Sequence, residues 1–175
     1  MEKEDRKILV AFFSHKGENY SQGKMVQLEK GNTAVAAELL AEALGGADVF
    51  EIRRQQEYPQ EYRACVNVAV QEKKDNARPQ LAEDVDISAY DVVCLGYPNW
   101  CGTMPMPVWT FLENHVWEGK RLLPFCTNEG SGMGNSEKDL KELVVGAEIR
   151  EGLPIHGTYV KEAGAALREW IHKQL

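Results

Sequence analysis

Short, uninterrupted apolar segments constrain the fold of this chain more than any other feature. The clearest are KILVAFF (7–13), YDVVCLGYP (90–98) and RLLPFCT (121–127). A strand with one face in water alternates apolar and polar residues, whereas a continuous apolar run is typical of a strand buried on both faces. Parallel sheets bury their strands in this way, under helices on both sides. The segments therefore predict an α/β fold.

The stretches between these segments have the spacing of amphipathic helices. In 33–44, for example, Ala36, Leu39, Leu40 and Ala43 share one helical face, and Gly45 follows as a stop signal. The predicted strands are 7–13, 48–52, 90–98, 121–127 and 148–157, and the predicted helices are 33–44, 60–77, 105–118, 135–144 and 159–174. This strict alternation predicts one doubly wound domain over residues 1–175, a three-layer sandwich with a five-stranded parallel sheet.

The composition argues against several classes of function. The 20 Lys and Arg against 27 Asp and Glu give a net charge of −7, which disfavours nucleic-acid binding. The N-terminal residues lack the pattern of a signal peptide and no apolar run is long enough for a membrane span, so we expect a cytoplasmic protein without membrane contact. The four Cys and four His show no CxxC or HxxxH spacing, so no metal site is predicted.

The segment after the first strand has the composition of an anion site. A long polar insertion, residues 15–30, separates Ser14 from Gly31, Asn32 and Thr33 at the start of the first helix. A helix start offers free N–H groups and the positive end of the helix dipole, which favour an anion such as a phosphate monoester. The Asn, Thr and Ser side chains add neutral donors. Ordinary helix capping is the alternative interpretation.

The segments after the third and fourth strands are also unusual. GYPNWCGTMPMP (96–107) places Trp100 among small and rigid residues, and 92–112 contains no charged residue. CTNEGSGMGNS (126–136) has three alternating glycines, Gly130, Gly132 and Gly134. An aromatic face with backbone polar groups at its rim suits a flat apolar ligand. Aromatic packing in a tight turn and a simple flexible turn are the alternatives. Because ligands bind at the carboxyl ends of parallel strands, one shared site is predicted.

These quoted segments resemble the flavodoxin-like FMN proteins, and the resemblance extends from residue 7 to residue 170. It implies a flavodoxin-like fold that holds the FMN phosphate near the first helix and the isoalloxazine ring between 97–104 and 127–134, with Trp100 on or beside the ring. The FMN contacts that it implies are Ser14, Asn32, Thr33, Ala34, Tyr97, Pro98, Asn99, Trp100, Cys101, Gly102, Thr103, Thr127, Glu129, Gly130, Ser131, Gly132 and Gly134.

The function that this resemblance implies is electron transfer between redox proteins, with no catalytic residue required. An NAD(P)H-dependent FMN reductase of quinones is the second hypothesis, in which the insertion with Tyr20 and Met25 forms a lid or a substrate wall. A flavin-free interaction module is the third. Because 92–112 lacks charge, we also expect no Lys or Arg around the ring and hence a low reduction potential.

Overall fold

A central parallel sheet runs through the computed structural model, which describes residues 5–175. Residues 1–4, which belong to the predicted domain, lie outside the described residues. The strands are β1 (Ile8–Phe12), β2 (Gly17–Ser21), β3 (Lys24–Leu28), β4 (Asp48–Glu51), β5 (Val92–Pro98), β6 (Arg121–Asn128), β7 (Glu148–Ile149) and β8 (Leu153–His156). The sheet order is β4-β1-β5-β6, followed by β7 and β8. The chain therefore reverses its winding direction between β1 and β5, which confirms the doubly wound prediction.

Helices cover both faces of this sheet. They are α1 (Asn32–Ala43), α2 (Tyr62–Lys74), α3 (Met106–Glu113), α4 (Ser136–Leu143) and α5 (Gly164–Gln174), with a 3₁₀ helix at Gly157–Glu162. Leu9 and Ala11 of β1 pack on the side of α2, α3 and α4. Val10 and Phe12 pack on the side of α1 and α5. This two-sided burial is the reason why KILVAFF carries no polar residue after its lysine. None of the described helices is long and apolar enough to cross a membrane.

The last strand is interrupted, whereas the sequence predicted one strand over 148–157. β7 pairs with Arg121 and Leu122 at the start of β6, and β8 pairs with Phe125–Asn128 at its end. The break lies opposite Pro124, which has no N–H to donate to a neighbouring strand. The fifth position of the sheet is therefore occupied by two short pieces.

The polar insertion, residues 15–30, contains a β-hairpin that the sequence analysis did not predict. β2 and β3 pair in antiparallel register from Gly17 with Leu28 to Ser21 with Lys24. The turn residues Gln22 and Gly23 both have positive φ, 50° and 79°, as the tight turns that suit hairpin twist require. The hairpin has little apolar alternation to mark it in the sequence, because nearly all of its residues are exposed or only half-buried.

Close packing at Gly96 gives a test of the sheet. A Cβ at this position would lie 2.3 Å from Cζ of Phe125 in the neighbouring strand β6. We expect Gly96→Ala to lower the free energy of unfolding by about 1–3 kcal/mol, since overpacked cores must shift. Urea unfolding measures this loss. The matched control is Gly164→Ala in α5, where nothing lies within 4 Å of the added methyl. Equal stability of the two variants would contradict the packing described.

Candidate functional site

The three unusual segments meet at one cleft beyond the carboxyl ends of β1, β5 and β6. These strands are neighbours in the sheet, so the segments that follow them emerge side by side. The cleft has a volume of about 220 Å³. Its lining includes Ser14, Asn32, Thr33, Pro98, Asn99, Trp100, Thr127, Glu129 and Ser131. All of these residues were predicted from the sequence to contact a ligand.

The first turn of α1 forms the polar end of the cleft. Its first intrahelical bond is donated by the N–H of Val35 to the carbonyl of Gly31 at 3.2 Å. The N–H groups of Asn32 and Thr33 therefore lack intrahelical acceptors and suit an anion. Ser14 Oγ accepts a hydrogen bond from the Ala34 N–H at 3.1 Å. A Cβ on Gly31 would lie 2.2 Å from that hydroxyl, so only glycine allows this close approach.

Two threonines join the first segment to the third. The hydroxyls of Thr33 and Thr127 are 2.7 Å apart, and both residues are buried. Beside them, a Cβ on Gly157 would lie 2.6 Å from Nδ2 of Asn32 and 2.9 Å from Oε1 of Glu129. The absence of a side chain at Gly157 thus leaves room for polar groups at this end of the cleft. Here the cleft offers neutral donors beside one carboxylate.

Asn99 joins the second segment to the third. Its Nδ2 donates to the Gly132 carbonyl at 3.0 Å, and its Oδ1 accepts from the Gly102 N–H at 3.1 Å. The Gly102 carbonyl accepts from the Asn135 N–H at 2.7 Å. A Cβ on Gly134 would lie 2.4 Å from that same carbonyl. The predicted glycines at 102, 132 and 134 therefore hold the two segments together through their backbone.

Two predicted contacts have side chains that point away from the cleft. The Tyr97 ring is fully buried, and its hydroxyl donates to Ser136 Oγ at 2.8 Å. Burial raises the pKa of this phenol well above its usual value. Thr103 is also buried and donates to Asp139 Oδ2 at 2.5 Å. These side chains support the loop from below and do not line the cleft. Alternation of Val93, Leu95 and Tyr97 toward one core was the signal that could have shown this.

Trp100 forms the aromatic wall of the cleft. Its ring packs edge-on against Phe13 at a centroid distance of 5.1 Å and against Tyr58 at 5.0 Å. It is only half-buried and borders both the cleft and an adjoining groove of about 210 Å³. That groove is lined by apolar groups of α2, among them Val66 and Ala69, and by the exposed Cys101. The arrangement suits a flat ring with one polar edge.

Several lining residues were not predicted from the sequence. They come from the hairpin, from α2 and from the segments near the ends of β1, β6 and β8, and they are His15, Asn19, Tyr20, Tyr62, Asn128 and Gly157. His15 Nε2 is 2.9 Å from the Pro59 carbonyl, and Asn19 Nδ2 donates to the His15 carbonyl at 3.1 Å. Only the folded hairpin brings Asn19 and Tyr20 to the cleft, so spacing in the sequence gave no signal for these two residues.

A lysine of α2 contacts the segment that carries Trp100. Lys73 Nζ donates to the Cys101 carbonyl at 2.6 Å. The lysine comes from the last turn of α2, which is distant in sequence from the uncharged segment 92–112. It borders a small pocket together with Trp100 and Cys101 and is not among the residues that line the cleft or the adjoining groove. The expectation of a ring environment without Lys or Arg stays a prediction.

The hairpin is bonded to the rest of the protein on two sides. On one side, the Glu18 N–H donates to the Gln60 carbonyl at 2.9 Å. On the other, the Ser21 and Thr158 hydroxyls are 2.6 Å apart, and Gln22 Nε2 donates to the Tyr159 hydroxyl at 2.8 Å. The hairpin thus forms a strap beside the cleft, with Asn19 and Tyr20 in its lining.

The fold and the cleft together define a known class of protein. The sequence model of the family described as Flavodoxin matches residues 7–174 of this chain. The chain therefore belongs to the flavodoxin family. A search of curated proteins found no match.

Solved structures with the same fold include several flavoproteins. A candidate flavoprotein from Bacteroides eggerthii is 32% identical, with a TM-score of 0.75, over 97% of this chain and 98% of the other. A candidate flavoprotein from Bacteroides uniformis is 27% identical, with a TM-score of 0.71, over 95% and 98%. A Lactobacillus acidophilus flavoprotein in complex with FMN is 17% identical, with a TM-score of 0.64, over 90% and 97%, which shows a shared fold.

The bonds of the hairpin lead to a prediction about its accessibility. Thr158→Val removes the hydroxyl that bonds Ser21 and also donates to Glu129 Oε2 at 2.8 Å. Because a lost hydrogen bond costs about 1 kcal/mol, trypsin should cleave after Lys24 about fivefold faster. Mass spectrometry of timed digests measures this rate. Thr110→Val is the control, since its hydroxyl bonds the Pro79 carbonyl instead. Equal cleavage of both variants would show that Thr158 does not hold the hairpin.

Proposed function

We propose that this protein binds FMN and carries electrons between redox proteins. The observation that supports this function is the continuity of the cleft, which joins a helix N-terminus at one end to the Trp100 wall at the other. A molecule with an anionic tail and a flat heterocyclic head fits such a cleft chemically. The FMN-bound flavoprotein of the same fold supports the choice of cofactor.

In this proposal the two ends of the cleft have separate tasks. The N–H groups of Asn32 and Thr33, with the Asn32 side chain, bind the phosphate. Trp100 and the backbone of the joined segments after β5 and β6 hold the flavin ring. FMN itself supplies the capacity to accept and release one or two electrons. The protein residues bind, orient and partly shield it.

The surface properties support a protein partner for the carrier. The groove beside Trp100 reaches the surface at Cys101 and Val66, both exposed, so a partner could approach the ring end of the cleft. The net charge of −7 favours a partner with a basic docking face. We propose such redox proteins as the partners. Association with them should weaken as the salt concentration rises.

A neighbouring cavity supports a second candidate function, the NAD(P)H-dependent reductase. This cavity of about 350 Å³ lies between the ends of β1 and β4, and Ser14 and Gly31 border both it and the anion site. Lys16 and Arg53 in its lining could attract the phosphates of a dinucleotide. Its carboxylates, including Glu51, oppose such binding. The carrier is therefore the function that we favour.

Binding of the cofactor tests the anion site. Asn32→Ala should weaken FMN binding about tenfold, because a hydrogen bond to a charged group is worth about 1.5–3 kcal/mol. Riboflavin, which lacks the phosphate, should bind this variant and the unchanged protein alike. Quenching of flavin fluorescence on titration measures both affinities. Asn114→Ala, at the surface near Asp84, is the matched control. Equal losses for FMN and riboflavin would place the phosphate elsewhere.

Turnover distinguishes the carrier from the reductase. With FMN bound, we expect dithionite-reduced protein to pass electrons rapidly to a one-electron acceptor such as cytochrome c. We expect the protein to oxidise NADPH or NADH in the presence of benzoquinone no faster than free FMN does. An electron carrier needs no binding site for such a hydride donor. Absorbance of the nicotinamide measures this rate. Protein-dependent consumption of NADPH or NADH that falls in Arg53→Ala would support the reductase and reject the carrier.

A further inference from the structure

Tyr58 occupies a distinctive position directly behind the aromatic wall. It lies between β4 and α2 and is only 9% exposed. Its ring is 5.0 Å from the Trp100 ring, with the planes at 89°. Trp100 in turn lines the cleft. A path of two aromatic rings therefore leads from the cleft into the protein, and Tyr58 is its inner member.

A buried carboxylate stands at the inner end of this path. Glu72 is only 8% exposed, and its Oε1 accepts a hydrogen bond from the Tyr58 hydroxyl. Its other oxygen, Oε2, has no hydrogen-bond partner among the described residues. Arg54 Nε lies 3.9 Å from that oxygen, and the Arg54 guanidinium lies 4.6 Å from the centre of the Tyr58 ring. The carboxylate thus has lone pairs available for a proton beside a compensating charge.

The phenol keeps its proton in the resting protein. Burial and the hydrogen bond to Glu72 both raise the pKa of Tyr58 far above its usual value. An oxidised phenol, by contrast, is a strong acid and gives up its proton at once. Loss of an electron from Tyr58 therefore requires a base in hydrogen-bond contact with the hydroxyl. Glu72 supplies that base.

We propose that Tyr58 is a proton-coupled electron donor to oxidised Trp100 and that Glu72 accepts its proton. A one-electron oxidant first removes one electron from the Trp100 indole. Tyr58 then returns one electron to Trp100, and its phenolic proton moves to the Glu72 carboxylate. The products are intact Trp100, a neutral Tyr58 radical and the carboxylic acid of Glu72. Charge and protons balance without a further reactant.

Tyr97 shows why Tyr58 is suited to this role. Both tyrosines are buried, but the Tyr97 hydroxyl donates to Ser136, and a serine hydroxyl is not a base at neutral pH. Tyr97 therefore has no proton acceptor of comparable strength. If the protein binds FMN as proposed above, its light-excited flavin belongs to the class of oxidant that the path requires. The transfer step between Trp100 and Tyr58 does not depend on that proposal.

Pulse radiolysis tests the step without any flavin. Azidyl radicals take one electron from tryptophan in the full, flavin-free chain and become azide. We expect the visible absorption of the tryptophan radical to decay as the near-ultraviolet absorption of the tyrosine radical rises. Because a proton moves in the same step, the transfer should be slower in deuterated water. The absence of any transfer would overturn the proposal, whether or not the protein binds FMN.

Four variants assign the step to its residues. Trp100→Phe and Tyr58→Phe should each abolish the fast rise of the tyrosine radical, although Trp109, Trp117 and Trp170 still react with azidyl. Glu72→Gln keeps an acceptor of the same size but removes the base, and should slow the transfer about tenfold or more. Tyr97→Phe is the matched control and should leave the rate unchanged. An unchanged rate in Glu72→Gln, or loss of the signal in Tyr97→Phe alone, would overturn the proposal. If Tyr58→Phe does not fold, the rate in Glu72→Gln and the isotope effect still test whether the proton moves from Tyr58 to Glu72.

Discussion

Complete burial of the three central strands is the constraint on which the rest of the structure depends. β1, β5 and β6 have helices on both faces, so nearly every residue inside them must be apolar. Polar and aromatic groups with a functional role can then stand only where these strands end. Since the strands are parallel neighbours, their ends meet at one edge of the sheet. The position of the cleft follows from the packing of the core.

The segments around the cleft are held mainly by each other. The Thr33–Thr127 hydroxyl pair joins the segment after β1 to the segment after β6. The bond from Asn99 to Gly132 and the bond between Asn135 and Gly102 join the segment after β5 to the segment after β6. The bond between Asn99 and Gly102 holds the segment after β5 in shape. A cleft built in this way keeps its shape without a ligand. Less ordering is then required when a ligand enters, which raises the affinity that a given set of contacts can provide.

Local patterns made some parts of this structure predictable and left others hidden. The apolar run 7–13 and the Gly31–Asn32–Thr33 segment carry their meaning in consecutive residues, so the first strand and the start of α1 could be predicted. The hairpin of β2 and β3 could not, because its exposed residues have no apolar alternation and Gln22-Gly23 is a weak turn signal. Tyr62 was missed since only the packing of α2 brings it to the cleft. The inward direction of the Tyr97 side chain, by contrast, was visible in the alternation of Val93, Leu95 and Tyr97 along the strand.

The interruption of the last strand affects how the protein meets other chains. An outermost strand with unpaired N–H and C=O groups is a template on which a foreign strand can add. Here that edge consists of two pieces, Glu148–Ile149 and Leu153–His156, separated by a break, and the second contains Pro154. Neither piece offers a continuous row of hydrogen-bonding groups. This border of the sheet thereby resists the addition of a strand from another molecule.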